Sequence, residues 1–283
     1  MGNKQIGQIE IEKVDVQKVL SSYQGSSYFQ KTLDQSTEQD IAPTVIKYVY
    51  FNRLFGAGVA YLSSQLALQT SLFKDSNETS ELWNDRSMEV GACVFAAAID
   101  EFGDRGLPSH PTHRAMAQAV MKGVSEYAGN DIKNLDLNYI NSVVDPKVQE
   151  GYGVNIQLDE RTLFRSIGFH IGSELLADEE FRILDTTLRR KYPDLVISLE
   201  NKVIKISGEE IPAYRWIGIH TIVEIDHFAH AVRAANVALK FYSGSQEKGE
   251  VRKQILEGVK EFASFQQKFM QYLHQGEPTL QNS

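Results

Sequence analysis

The stretch from Trp216 to Val232 concentrates side chains that can bind a metal ion. It holds three histidines and two carboxylates within eleven residues of an otherwise apolar helical pattern. Steps of four and three residues place His220, Glu224 and His227 on one face of a helix. Imidazoles and carboxylates without a thiolate suit iron, zinc or manganese. A lone histidine here would usually be a satisfied core residue, but three ligand-type residues in register favour a metal site.

Asp226 and His230 form a second pair with i,i+4 spacing on the adjacent face, roughly 60° around the same helix. The two faces of one helix cannot be equally buried. One set therefore binds the metal, and the other set orients the ligands or lies at the surface. On this reasoning Asp226 and His230 are candidate orienting partners or alternative ligands.

Glu101 places a carboxylate at the end of the apolar pattern of residues 88–102. Its burial without compensation would be costly, and either a metal ion or a simple exit to the surface would remove that cost. His110 and His113 follow shortly afterwards, and His113 begins the next predicted helix. The sequence leaves open which of these two histidines accompanies Glu101.

Glu174 is the third acidic candidate, inside the apolar pattern of residues 159–192 with His170 one turn earlier. His170 is a candidate ligand, although a core or orienting histidine is the more common role. Together the segments describe two or three carboxylates and two to four imidazoles that converge in a helical bundle, as in di-iron sites. The ferritin-like version needs two Glu-x-x-His motifs, and this chain has only one, Glu224 with His227.

Helical patterns that could position these residues cover most of the chain. Apolar periodicity predicts helices at residues 43–69, 88–102, 112–128, 159–192, 216–242 and 248–274. Period-two alternation over residues 195–211 predicts a β-hairpin that turns at Asn201-Lys202. Residues 129–158 are predicted to be irregular. We therefore predict an all-α bundle of seven or eight helices with a small β-hairpin insertion.

The composition is that of a globular chain that can bury one sizeable core. Of the 283 residues, 42% are hydrophobic and 10% are aromatic, and the net charge is −8 with scattered cations, so nucleic acid is not an expected partner. No apolar run reaches the roughly 18 uncharged residues of a membrane span. The polar N-terminus lacks a signal-peptide pattern, and Cys93 has no second cysteine to pair with. We expect a cytoplasmic protein in which residues 1–42 pack as an extension on one domain, residues 43–283.

Three segments of the chain resemble the haem-oxygenase-like di-metal oxidases, a superfamily that includes iron-containing redox enzymes of natural-product pathways. The first is D-E-F-G-D-R-G-L-P-S-H-P-T-H-R, the second is G-F-H-I-G-S-E-L-L, and the third has the form H-x3-[DE]-x2-H. The residues that match the family's motifs are Glu101, His113, Glu174, His220, Glu224 and His227. The first segment has a longer spacing than is usual, so His110 remains a competing assignment. In the third, Glu224 stands where the family usually has Asp.

The resemblance implies a haem-oxygenase-like bundle with two iron ions, or iron with manganese, and O₂ as co-substrate. The six matching residues would be the metal ligands, with no catalytic residue beyond them and with His110, His170, Asp226 and His230 as orienting or alternative groups. It also implies a small amino-acid, amine or fatty-acid type substrate in specialised metabolism. Similarity is greatest to the branch of self-sacrificing para-aminobenzoate synthases, in which a tyrosine near the metals is oxidised. The sequence leaves open whether the protein forms a homodimer.

Aromatic residues of the first predicted inner helix are candidates for lining a substrate pocket, although such stripes are more often simple core. These residues are Tyr48, Phe51, Phe55 and Tyr61.

Two alternative functions remain open from the sequence. One keeps the fold without di-iron, as a cofactor-independent oxidase or a haem oxygenase that uses one histidine. A thiaminase-like activity would need a nucleophilic cysteine, and the apolar run around Cys93 disfavours a reactive thiolate. The other alternative is a non-catalytic helical interaction protein with structural histidines.

Overall fold

The structure is a computed structural model that describes residues 9–129, 134–156 and 159–276. The helices are α1 (Lys13–Leu20), α2 (Gly25–Gln35), α3 (Ile41–Phe51), α4 (Phe55–Ala67), α5 (Ser87–Glu101), α6 (His113–Ala128), α7 (Asp145–Gly151), α8 (Glu160–Lys191), α9 (Pro193–Glu200), α10 (Arg215–Phe241) and α11 (Lys248–Gln275). The strands are β1 (Val203–Ile206) and β2 (Glu209–Pro212), which pair antiparallel. The predicted all-α class with a small hairpin is confirmed. None of the described helices is long and apolar enough to cross a membrane.

Three long helices, α8, α10 and α11, form the centre of the bundle, and α8 lies against both of the others. Glycines permit the closest approach. A Cβ on Gly168 of α8 would lie 1.7 Å from the carbonyl oxygen of Ile255, and a Cβ on Gly258 of α11 would lie 1.9 Å from that of Arg165. The backbones of α8 and α11 are therefore in direct contact, which fixes the position of α8 relative to α11.

The N-terminal helices pack on this centre. α2 lies against α8 and α11, and its Phe29 ring stacks on Tyr48 of α3 with the ring centroids 4.5 Å apart. The backbone of Ile11 forms two hydrogen bonds with the side chain of Asn236 in α10, at 2.8 and 3.0 Å. The described part of residues 1–42 thus shares one core with the helices that follow, and residues 1–8 lie outside the described residues.

The described residues contain eleven α-helices, more than the predicted seven or eight, partly because one apolar stretch is divided. The single helix predicted for residues 43–69 is two helices, α3 and α4, joined by a 3₁₀ turn at Asn52–Leu54. The side chain of Asn52 donates a hydrogen bond to the carbonyl of Tyr48 at 2.9 Å, and this bond satisfies a carbonyl near the end of α3. Apolar periodicity alone does not register such a break.

The segment predicted to be irregular, residues 129–158, contains a π-helical turn at Ile140–Val144 and then α7. Pro146 lies in the first turn of α7, where its missing N–H needs no partner. The prediction of an irregular segment was therefore wrong for Ile140–Val144 and for α7. Residues 130–133 and 157–158 of the segment lie outside the described residues.

The β-hairpin exists, but the predicted boundaries and turn were wrong. Residues 193–200 form α9, which Pro193 starts, and the strands begin only at Val203. The turn lies at Ser207 and Gly208, with φ of 50° and 94°, rather than at Asn201-Lys202. Left-handed φ at both central residues is what a two-residue hairpin turn requires, and Gly208 adopts it without strain.

Candidate metal centre

Four helices bring six ligand-type side chains to one place. Glu101 is the last residue of α5, His113 is the first of α6, Glu174 lies in α8, and α10 supplies the others. They form the Glu101 cluster (Glu101, His113 and His220) and the Glu174 cluster (Glu174, Glu224 and His227), and in each the ligand atoms lie within 4.8 Å of one another. All six residues matched to the metal ligands are thus brought together. Both clusters could hold a metal ion.

The Glu101 cluster forms where α5 ends and α6 begins. The Oε1 atom of Glu101 lies 2.8 Å from Nδ1 of His113 and 4.0 Å from Nε2 of His220. Thr112 caps α6, and its side-chain oxygen accepts a hydrogen bond from the N–H of Ala115 at 3.1 Å. This cap fixes His113 in the first helical turn, where its ring meets the end of the preceding helix.

The Glu174 cluster lies within the long helices, and Glu224 connects it to the Glu101 cluster. One carboxylate oxygen of Glu224 is 3.7 Å from Nε2 of His220, and the other is 3.7 Å from Nδ1 of His227. Glu174 completes the group, with Oε2 3.6 Å from Nδ1 of His227. The carboxylate of Glu224 therefore lies between the imidazoles of the two clusters.

These separations fit donors arranged around a cation. Two nitrogen or oxygen donors, each about 2.1 Å from one metal ion, lie about 3.0 Å apart at a right angle and about 4.2 Å apart on opposite sides. Four of the distances above, from 3.6 to 4.0 Å, fall within that range. The 2.8 Å contact of Glu101 with His113 is a hydrogen bond, whose proton a cation would replace.

A backbone carbonyl fixes the orientation of His220. Its Nδ1 lies 2.6 Å from the carbonyl oxygen of Trp216, so Nδ1 carries the hydrogen and donates it. The lone pair of Nε2 is then directed at the cluster. Phe181 of α8 stacks on the imidazole with ring centroids 4.3 Å apart and limits its rotation. Such outer hydrogen bonds set the tautomer and basicity of histidine ligands.

Asp100 fixes the orientation of His227. Nε2 of His227 donates to a carboxylate oxygen of Asp100 at 3.4 Å, and Nδ1 faces Glu174 and Glu224. The sequence analysis did not assign this role to Asp100. The only available signal was the acidic pair at the end of α5, of which Glu101 enters one cluster and Asp100 supports the other.

Burial and neighbouring charges shift the pKa values of the two carboxylates of the Glu174 cluster in opposite directions. Burial raises the pKa of Glu224 well above its usual value, and the negative charge of Glu174 adds to the rise. Burial also acts on Glu174, but the charges of His170 and His227 outweigh it and lower the pKa of Glu174. The two carboxylates hold the pKa of His227 at about 11 despite its burial. The centre therefore retains a proton on His227 that a bound cation would displace.

The imidazole of His220 is held neutral. Burial and then the charge of His113 lower the pKa of His220 to about 3, against the opposing effect of Glu101. Burial raises the pKa of Glu101, but the charge and the hydrogen bond of His113 outweigh burial, so the pKa of Glu101 is below its usual value. A neutral imidazole beside an ionised carboxylate is the protonation state that metal binding needs.

A buried ion pair ties the loop between α5 and α6 to the start of α10. Arg215, the first residue of α10, donates from Nε and Nη2 to the two carboxylate oxygens of Asp104 at 2.6 and 3.0 Å. Asp104 is only 5% exposed, and the pair lowers its pKa. The loop that connects Glu101 to His113 is thus fixed to the helix that carries the other ligands.

Three of the alternative residues lie away from the centre. His110 is exposed in the loop with φ of 47°, so the structure brings His113 and not His110 to Glu101. Asp226 is exposed and His230 is half-buried on α10. Among the described residues neither contacts a ligand, so the predicted orienting role of Asp226 and His230 is not found, and Asp100 and the Trp216 carbonyl take that role.

His170 is fully buried beside Glu174, with Nδ1 3.0 Å from the Oε1 atom of Glu174. The angle at this contact is poor, and neither ring nitrogen has a hydrogen-bond partner among the described residues. Tyr152 is also buried nearby, and its hydroxyl lies 3.2 Å from that of Ser173. A buried imidazole that forms no hydrogen bond is unusual in a plain helical core.

A cavity of about 260 Å³ opens beside the centre, lined by Glu101, His113, Glu174, His220 and Glu224 on one side. The wall also contains six aromatic residues: Phe51, Phe55, Phe102, Phe181, Trp216 and Phe262. Of the predicted lining residues, Phe51 and Phe55 are present and Tyr48 and Tyr61 are not. The side chain of Glu101 is 24% exposed, so its cluster faces the cavity.

Comparisons of the chain with protein-family models, with curated proteins and with solved structures give no match.

Proposed function

We propose that this protein is a non-haem di-iron oxidase or oxygenase that uses O₂ to oxidise a small metabolite bound in the cavity. The observation that carries the proposal is the position of Glu224, whose two oxygens face one imidazole of each cluster. The sequence resemblance to haem-oxygenase-like di-metal oxidases, with its amino-acid, amine or fatty-acid substrates, supports the same assignment.

The donor set favours iron that activates O₂ over a structural zinc ion. The centre has three imidazoles, three carboxylates and no thiolate, and it borders a cavity instead of being closed on all sides. Closed zinc sites are typically built from four donors with thiolates among them, whereas histidine and carboxylate sets with open positions are used for O₂ chemistry at iron. When bound, a pair of iron ions supplies the electrons and the coordination positions that activate O₂.

The chain's own residues prepare this chemistry. The Trp216 carbonyl and Asp100 accept hydrogen bonds from His220 and His227, respectively, and the other nitrogen of each ring faces the clusters. Phe181 stacks on His220, and six aromatic residues form part of the cavity wall beside the centre. The partly exposed Glu101 places its cluster where a substrate in the cavity can reach it.

Anaerobic loading with Fe(II) followed by exposure to O₂ tests the proposal. We expect two irons per chain, no Soret band, and a transient visible absorption after mixing with O₂ in a stopped-flow instrument. Glu224→Ala and His227→Ala should lower the iron content below two, whereas Asp226→Asn, an exposed position on the same helix, should not.

Each competing function gives a different result in this experiment. A haem protein would show a Soret band with haem and no iron in the two clusters. A cofactor-independent oxidase or an interaction protein would take up no iron beyond the amount that the Glu224→Ala variant retains. Either result would reject the di-iron proposal.

A further inference from the structure

Two arginines line the same cavity as the metal centre, Arg53 after α3 and Arg114 in the first turn of α6. Arg53 is already paired, because it forms an ion pair with Asp145 and donates to the side chain of Asn141 at 2.7 Å. Both guanidinium groups lie over the ring of Tyr50, at 3.8 Å for Arg53 and 5.7 Å for Arg114.

Arg114 has no such partner in the part of the chain that the structure describes. No described carboxylate lies within ion-pair distance of it, and its Nη1 atom is buried without a hydrogen-bond partner. Burial and the neighbouring charge of Arg53 lower the pKa of Arg114 from its usual value, although a guanidinium still keeps its proton. An unpaired guanidinium nitrogen in a cavity wall leaves hydrogen-bonding capacity that a ligand can use.

Arg114, Arg53 and Asp145 together carry one net positive charge, and Arg53 and Asp145 are the charged residues that act on Arg114. Arg53 and Arg114 face a single carboxylate, Asp145, which Arg53 binds. The nearby acid Glu180 does not offset this charge, because burial raises its pKa to about 8. The start of α6 adds the partial positive charge of a helix N-terminus.

We propose that Arg114 binds the carboxylate group of an apolar or aromatic substrate whose body fills the cavity beside the metal centre. The aromatic walls suit the body of the ligand, and the planar guanidinium suits a carboxylate. A single surplus charge matches a monoanion. A phosphate dianion would leave one negative charge unbalanced near three acidic ligands. The orientation of the substrate toward the metals rests on the proposed function, but the binding of the carboxylate does not.

Calorimetric titration of the metal-free full-length protein tests this inference without involving the metals. The probes are 3-phenylpropionate, the uncharged 3-phenylpropanol, the cationic 3-phenylpropylamine and inorganic phosphate. We expect 3-phenylpropionate to bind tightest. Arg114→Gln should weaken the binding of 3-phenylpropionate about tenfold or more, because a charge-assisted hydrogen bond is lost. The binding of 3-phenylpropanol should be unchanged. Arg114→Lys keeps the charge but loses the planar fork, and should give an intermediate affinity.

Arg105→Gln is the matched control, because it removes the same charge from an exposed residue of the neighbouring loop that does not line the cavity. It should leave all four affinities unchanged. Wild-type melting temperature and iron content in Arg114→Gln would show that the variant folds and that the centre is intact.

Undiminished binding of 3-phenylpropionate to Arg114→Gln would overturn the inference, as would equal binding of the propanol and the propionate, or tighter binding of phosphate. The two proposals fail separately. A protein that takes up no iron but loses carboxylate binding in Arg114→Gln would refute the di-iron function and support the role of Arg114. Two irons per chain with no carboxylate binding would support the di-iron function and refute the role of Arg114.

Discussion

Glu224 is an acidic residue at a position that disfavours its charge when no cation is present. It is 3% exposed, burial raises its pKa, and the carboxylate of Glu174 lies in the same cluster. Residues kept at such cost usually serve a function that the fold alone does not need. We therefore expect stability and metal binding to be opposed at the candidate metal centre.

Glu224→Gln should separate these two effects. Because the amide carries no charge to desolvate, we expect the metal-free variant to have a free energy of unfolding equal to or greater than that of the wild type. The rise in melting temperature on adding Fe(II) should be largely lost, because the shared ligand is gone. Urea denaturation and thermal scans with and without anaerobic Fe(II) measure both.

Asp226→Asn, which changes an exposed carboxylate two residues away, should leave both quantities unchanged. A Glu224→Gln protein that is strongly destabilised without metal would show that the carboxylate has a structural role instead.

Glu180 makes stability depend on pH. It lies in α8, 3% exposed, and accepts a hydrogen bond from Nε2 of Gln266 at 2.6 Å. Burial raises its pKa from 4.5 to about 8, so the folded state favours the protonated acid. The associated stability is fully present below pH 4.5 and is lost as pH rises through about 8. The free energy of unfolding of the metal-free protein should therefore fall across this window, by up to about 1.4 kcal/mol per unit of pKa difference.

Glu180→Gln keeps the acceptor oxygen for Gln266 and removes the titration, so its free energy of unfolding should vary less between pH 5 and pH 8. Urea denaturation at the two pH values measures the difference. Glu250→Gln, an exposed position on α11, should retain the wild-type pH dependence. An equally steep dependence in Glu180→Gln would assign the effect to other groups.

At the residue scale, periodicity predicted the ligands because all three donors of α10 repeat at helical spacing in one short stretch. The partners of those ligands were not predictable in the same way. A backbone carbonyl, such as that of Trp216, leaves no mark in a sequence. Asp100 acts across helices, and its contact with His227 depends on how α5 and α10 pack.

Among the contacts between helices, the packing of α8 on α11 is the one that positions Glu174. A Cβ on Gly168 would overlap a backbone carbonyl of α11, which cannot move aside as a side chain can. Gly168→Ala should therefore force the helices apart and lower the free energy of unfolding by about 1–3 kcal/mol or more. It should also weaken iron binding, because Glu174 lies six residues further along α8.

Gly218→Ala is a matched control on α10, where a Cβ would have no atom within 4 Å. That substitution should raise the free energy of unfolding by about 0.5–1 kcal/mol, since alanine is the better helix former. Chemical denaturation of the two variants gives both values. Equal effects would mean that the close contact of α8 with α11 does not limit the packing.

The long helices were predicted well, because apolar periodicity that continues over several turns fits a helix and hardly any other structure. The prediction of secondary structure was wrong where a short apolar run fits both a strand and a helix. Residues 195–200 alternate as a strand would, but Pro193 starts a helix there, and tertiary packing buries Leu195, Val196 and Leu199. The turn at Ser207 and Gly208 was the better hairpin signal.

At the scale of the molecule, metal binding should stabilise the fold. The ligands come from α5, α6, α8 and α10, so an ion that binds only the folded state connects four helices. At a free concentration of 100 times Kd, each ion adds about 2.7 kcal/mol. Fe(II) should therefore raise the melting temperature by roughly 5 °C or more, and a chelator should reverse the rise.

Mg²⁺ is a suitable negative control in the same thermal scans, because it prefers oxygen ligands and would be poorly served by three imidazoles. A melting temperature that responds equally to Fe(II) and Mg²⁺, or to neither, would argue against the centre.

Which helices lie side by side was beyond the sequence. Composition and periodicity were enough for an all-α class with one small hairpin, whereas the meeting of α5, α6, α8 and α10 depends on three-dimensional packing. The resemblance of three segments to one superfamily supplied the grouping of the six ligands that spacing alone left open.

The two clusters differ in how firmly the polypeptide holds them. The Glu174 cluster is built from the interiors of two long helices, whereas the Glu101 cluster depends on two helix ends joined by a loop that Asp104 and Arg215 anchor. We expect uptake in sequence, with the first equivalent of iron occupying the interior position and the second exchanging more rapidly with solvent. Substoichiometric titration should reveal two dissociation constants, and Asp104→Asn should weaken only the second. The half-loaded protein would then be a distinct species, in which the position nearest the cavity can be filled or emptied independently.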